Sequence, residues 1–168
     1  HFTAPRSRAD QAGSVRVEVD ATRARGRRAI FGVTCRQNQG GLGVGGFYLG
    51  AIDTSGYWII SRFKLATFTY SLAPGVPSLA RTLARAERRS QYSSAVRPGL
   101  TNRVGLDCRG GTAPGAPVSL LLSVNGYEVS RVQDPRGLGP GPVGLWAESL
   151  DEPVEIRFDN FAVSRLGP

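Results

Sequence analysis

The sequence predicts an all-β protein of about ten strands, with at most one short helix. Two observations carry this. Apolar and polar residues alternate in short runs, as in Val15-Arg-Val-Glu-Val-Asp20, which is the period of a half-buried strand. Turn residues separate the runs: the 168-residue chain holds 22 glycines and 11 prolines, yet 40% of it is apolar and supplies a core. A chain of this length is expected to form one domain, residues 14–166, with 1–13 as an N-terminal extension or partial first strand. No apolar run reaches the ~18 residues needed to span a bilayer. The chain opens His1-Phe2-Thr3 and has no methionine, so it reads as a processed or excised piece, with room for a signal peptide or anchor upstream.

In chain order, Val15–Asp20 is the first strand and Ile30–Arg36 the second. Phe47–Ile52 and Tyr57–Phe63 pair around the turn Asp53-Thr-Ser-Gly56, and residues 64–72 extend that strand or add another. Residues 78–89 place Leu79, Leu83 and Ala86 at helical spacings opposite an arginine-rich face, which fits a short helix over the sheet or an irregular loop. Val104–Cys108 is strand-like. Val118–Val124 and Tyr127–Val132 form the clearest hairpin, because Asn125-Gly126 supplies the two positive-φ positions of a type I′ turn. The Pro/Gly-rich stretch 135–142 is a rigid loop, and strands follow in 142–148 and 155–166.

The two cysteines, Cys35 and Cys108, each end an apolar strand and point inward by alternation, so a disulfide is expected, with two buried free thiols as the alternative. Such a bond would contribute roughly 4 kcal/mol on the loop-entropy account and would imply an oxidising compartment.

The formal net charge is +8, almost wholly arginine, with Lys64 the single lysine. Eight arginines fall between Arg6 and Arg36 and seven between Arg81 and Arg109, whereas the chain from Gly144 onward is acidic. Such a balance draws a protein to anionic polymers, whether wall polysaccharide, lipid head groups or nucleic acid, although GC-rich coding alone also enriches arginine. Nucleic acid is the weaker candidate and a nucleotide is not expected. Gly41, Gly43 and Gly46 spell G-x-G-x-x-G, but a strand follows instead of the helix whose N-terminus would face a pyrophosphate. The kinase alternative lacks its lysine, H-R-D and D-F-G motifs.

The sole histidine is His1, which leaves serine or cysteine triads without a base and a zinc site without ligands. No metal and no cofactor are expected. Paired carboxylates of the glycosidase kind have candidates only in Glu148, Asp151, Glu152, Glu155 and Asp159, where a solvated turn is the simpler account. Asp53-Thr-Ser-Gly56 has the look of half an aspartic-protease motif without its second copy, and a hairpin turn explains it.

The order of motifs VRVEVDA, FGVTCR, GFYLGAIDTSGYWIISRF, NRVGLDCRG, LLLSVNGYEVSRVQD, VGLWAES and FDNFAV, over residues 14–165, resembles the concanavalin A-like, laminin-G-type domains of exported actinobacterial proteins such as lipoproteins and receptor-kinase ectodomains. It is more distantly similar to 3-keto-disaccharide hydrolase and family-16-type glucanase domains. The resemblance implies a two-sheet antiparallel jelly-roll sandwich, with Cys35 and Cys108 matching paired cysteines. It also implies extracellular placement and binding or sensing more often than catalysis. The glucanase E-x-D-x-x-E signature is absent, and the insert 64–101 is expected to cover or build out the binding face.

A sugar site on such a sandwich needs aromatic faces and planar polar groups. With the hairpin closed at Asp53–Gly56, Tyr48, Ile52, Tyr57 and Ile59 are expected on one face, and Leu49, Trp58, Ile60 and Arg62 on the other. Trp146 is expected on the non-core face beside Glu148. Tyr48, Trp58, Arg62, Trp146 and Arg109 are the expected ligand contacts, against the alternative that the aromatics are core or rim packing and the arginines solvated. The expected function is an extracellular or envelope-attached, non-catalytic module for a glycan or anionic envelope polymer. A protein-interaction domain is the alternative, and a glycoside-active enzyme comes behind both.

Overall fold

The computed structural model describes residues 2–3, 13–38, 46–64, 81–82, 92–150 and 153–167. Among them there is no helix, and every strand pairing is antiparallel. One sheet runs β1 (Phe2–Thr3), β10 (Gly144–Ser149), β3 (Ala29–Asn38), β4 (Gly46–Asp53), β5 (Trp58–Lys64), β6 (Arg81–Thr82). The other runs β11 (Glu155–Arg165), β2 (Val15–Arg25), β7 (Asn102–Gly110), β8 (Val118–Val124), β9 (Tyr127–Asp134). The result is a two-sheet jelly-roll sandwich.

Alternation decides which residues enter the core. Val15, Val17, Val19 and Ala21 of β2 are buried while Arg16, Glu18 and Asp20 between them are not. They meet Val104, Leu106 and Cys108 of β7 and Leu120, Leu122 and Val124 of β8 from one side, and Phe31, Val33, Tyr48, Ile52, Trp58 and Ile60 from the other. Gly50 of β4 faces Leu106 of β7 and Leu122 of β8 across the core. A Cβ there would sit 2.9 Å from Leu106 Cδ1 and 3.0 Å from Leu122 Cδ1, so a side chain would push the sheets apart. Cys35 on β3 and Cys108 on β7 form the disulfide, a covalent strut between the two sheets.

The structure corrects the faces expected for the β4–β5 hairpin. Asp53 Oδ1 accepts the N–H groups of both Ser55 and Tyr57, and the Asp53 N–H donates to the Tyr57 carbonyl, so the loop closes over five residues and Ile52 faces Trp58. A four-residue loop pairs even with odd positions; a five-residue loop pairs even with even. Tyr48, Gly50 and Ile52 therefore share the inner face with Arg62, Ile60 and Trp58, while Leu49 looks outward with Phe47 and Phe63.

The helix or loop read over 78–89 lies outside the described residues except for Arg81–Thr82, which pair with Ser61 and Arg62 as strand β6. The reading of 64–72 lies outside them beyond Lys64. So do Gly41 and Gly43 of the glycine run, though strands β3 and β4 flank it and pair with each other, Asn38 facing Gly46.

Candidate functional site

The five residues expected to meet a ligand fall in four separate places. Tyr48 and Arg62 do come together, as cross-strand partners at the end of the sandwich that carries the disulfide. The Tyr48 hydroxyl donates to Asp134 Oδ2 at 2.7 Å and accepts the Leu138 N–H at 2.9 Å; Arg62 Nη1 donates to the same carboxylate oxygen at 2.8 Å and to the Arg136 carbonyl at 2.7 Å. Tyr48 is wholly buried, and burial, reinforced by the bond to Asp134, pushes its phenol well above the ordinary range. This cluster ties β4 and β5 to β9 and the loop beyond it, with no ring face left for a sugar. Trp58 is 7% exposed inside the sandwich.

Trp146 lies on the outer face of the six-stranded sheet, 5.4 Å from the Phe47 ring and 5.3 Å from Phe63, so Trp58 and Trp146 occupy opposite faces of one sheet. Arg109 is on the outer face of the other sheet, 3.4 Å from Asp107. It borders a charged lattice in which Arg16 reaches Glu18 and Asp107, and Arg103 reaches Glu18 and Asp20. Hydrogen bonds from Arg103 and then Arg16 hold the Glu18 carboxyl below the usual carboxylate range.

Among the described residues, exposed aromatic surface is concentrated instead at the opposite end of the sandwich. Tyr57 after the β4–β5 turn is 42% exposed, Tyr92 53%, and Tyr127 at the start of β9 66%. Tyr57 and Tyr92 pair as an isolated bridge with ring centroids 5.9 Å apart, edge to face. Beside them opens a pocket of about 510 Å³ lined by Ser93, Ser94, Ala95, Arg97, Tyr127, Glu128 and Val129. It offers an exposed phenol ring, two hydroxyls, a guanidinium and a carboxylate. Glu128 is held by Arg131 through both oxygens, at 3.1 and 2.9 Å, which keeps its carboxyl below the ordinary range.

The loop that builds this pocket, residues 92–101, is fixed at both ends. The Ser93 N–H donates to the Gly56 carbonyl, Ser93 Oγ accepts the Ala95 N–H, and Val96 is buried in the core. At the far end Asn102, 2% exposed, accepts from the Arg97 N–H and donates to the carbonyls of Arg97 and Leu100. Asn125, held at φ +52° in the hairpin turn, donates to Asn102 Oδ1 and to the Ala95 carbonyl. The pocket is thus preformed by backbone bonds of short asparagines. Sequence reasoning missed it because 64–101 reads as one long insert. The available signal was Tyr127, a large aromatic directly after the strongest turn dipeptide and hence at a sheet rim.

Among the described residues no group of three or more His, Cys, Asp or Glu is placed to hold a metal ion. No protein-family model matches the sequence, and no curated protein matches it. Two solved structures share the fold. The carbohydrate-binding module CBM66 from Bacillus subtilis aligns with a TM-score of 0.57 at 15% identity, over 90% of this chain and 75% of that one. Sheep galectin-11, solved with glycerol, aligns with a TM-score of 0.53 at 10% identity, over 97% of this chain and 93% of that one. The class defined is the two-sheet antiparallel β-sandwich jelly roll.

Proposed function

We propose that the chain is a non-catalytic glycan-binding module, with its ligand taken at the rim formed by loop 92–101 and Tyr127. The observation that carries this is the convergence of the exposed Tyr127 with Ser93, Ser94, Arg97 and Glu128 around one preformed pocket. Sugar rings present flat C–H faces that stack on aromatic rings, and hydroxyls that take hydrogen bonds from planar polar groups, so this set suits a saccharide. The two structures sharing the fold, a carbohydrate-binding module and a galectin, support the same reading. The pocket has one carboxylate, already neutralised by Arg131, where a glycosidase needs two facing each other.

The finer expectations belong to the same proposal: kinship with concanavalin A-like, laminin-G-type modules of exported actinobacterial proteins, and placement outside the cell or on its envelope. The disulfide supports the placement, since such bonds persist in oxidising compartments. No helix among the described residues is long and apolar enough to cross a membrane.

The test is a glycan-array and wall-polysaccharide binding screen with the native chain and Tyr127→Ala. A saccharide bound by the native chain and lost, by tenfold or more, in the variant supports the reading. Blank screens at low salt, together with a protein partner recovered by crosslinking on cells, would replace it with the protein-interaction alternative.

A further inference from the structure

The pocket rim is electrostatically lopsided. The turn between β2 and β3 carries Arg25, Arg27 and Arg28, all exposed, and Arg97 stands exposed in the pocket wall. Arg25, Arg27 and Arg97 make no ion pair among the described residues. Most nearby carboxylates are already engaged. Glu128 is held by Arg131, Glu155 by Arg157 at 3.0 Å, and Asp20 by Arg103, while Asp53 accepts the N–H groups of its own turn. Among the described residues Glu148 and Asp159 carry no ion pair; Glu148 projects on the outer face of the six-stranded sheet, and Asp159 accepts the Asn160 N–H.

Pocket and arginine turn are physically continuous. Tyr127 pairs with Val124 of β8, Val124 with Val104 of β7, and Asn102 of β7 with Ala21 of β2. Next to that last pair, Thr22 and Thr101 share a hydroxyl hydrogen bond of 2.6 Å, which closes loop 92–101 against the strand leading into the turn. Three strand steps at ~4.8 Å lead from Tyr127 to Val19 of β2, about 14 Å to the side, and Arg25 comes six residues further along that strand at ~3.3 Å each, so the arginine turn stands roughly 25 Å from Tyr127, the reach of an oligomer and not of a single ring. Arg23 braces the turn by donating to the carbonyls of Gly26 and Arg27, and Gly26 at φ +84° packs against Pro153 and Val154.

We propose that the glycan bound at this rim is an anionic one, a chain bearing carboxylate or phosphate groups. Its sugar rings stack at Tyr127, and its charges are met by Arg97 and by Arg25 and Arg27 of the β2–β3 turn. The inference rests on the reading of the rim as a glycan site.

The test measures binding of the full chain to polygalacturonate and to phosphomannan against neutral galactan and mannan, with polyglutamate as a polyanion without sugar. At least one charged glycan is expected to bind tenfold or more tightly than its neutral counterpart, with affinity falling as salt rises. The Arg25→Ala/Arg27→Ala double variant loses most of that margin with an unchanged thermal midpoint, and Tyr127→Ala weakens charged and neutral glycans alike. Which polymer binds distinguishes carboxylate from phosphate as the recognised group. Equal affinity for neutral and charged glycans, or a double variant that binds as the native chain does, overturns this inference and leaves the glycan reading standing. Polyglutamate bound as tightly as the glycans, with Tyr127→Ala without effect, overturns both.

Discussion

Tyr48 and Tyr127 show one residue type put to opposite uses by its surroundings. At Tyr48 the hydroxyl is a buried fastener between Asp134 and the Leu138 N–H. Tyr48→Phe leaves that N–H without an acceptor and is expected to lower unfolding free energy by about 1–3 kcal/mol, read by denaturant titration. The same group makes stability fall at alkaline pH. Its folded pKa is raised above the unfolded value of about 10, so its contribution is complete below pH 10 and drains at about 1.4 kcal/mol per pH unit as the unfolded chain alone releases the proton. Unfolding free energy measured from pH 9 to 11.5 is expected to slope downward in the native chain and to slope less in Tyr48→Phe. At Tyr127, 66% exposed, Tyr127→Ala is expected to leave the thermal midpoint nearly unchanged while removing sugar binding.

Loop 92–101 and the central sheet face set what an element contributes beyond its residues. Asn102→Ala orphans the Arg97 N–H and the Leu100 carbonyl, and should cost about 1–3 kcal/mol while loosening the pocket wall. The expected signature is weaker ligand binding together with faster amide hydrogen exchange in residues 93–101. On the five-stranded sheet, the Arg103 and Arg16 bonds depress the Glu18 pKa, so the stability Glu18 contributes is present above its unfolded pKa of about 4.3 and is lost as pH falls through the folded value. Glu18→Gln is expected to flatten the acid limb of a stability–pH curve below about pH 4.5. The β4–β5 hairpin is only partly legible in the sequence. Its strands and turn residues are plain in the sequence, but a loop of five residues instead of four is not, and that one residue reverses the face on which Trp58, Ile60 and Arg62 lie.

For the whole molecule, the strut from Cys35 to Cys108 joins the sheets across 73 residues of chain, a closure worth roughly 4 kcal/mol on the loop-entropy account. Reduction under mild conditions, or the Cys35→Ala/Cys108→Ala variant, is expected to lower the thermal midpoint by many degrees, followed by circular dichroism. The all-β class, nearly every strand and the inward pointing of both cysteines are legible along the chain, because period-two alternation and turn chemistry are local properties. Which aromatics face water is set by the packing of the two sheets. Tyr48 and Trp58 vanish into the space between the sheets, while Tyr57 and Tyr92 meet edge to face and Tyr127 lines the pocket built by the residues that follow Tyr92. That choice depends on hairpin parity and on which strand ends the sandwich brings side by side, and neither is written in the neighbours of any one residue.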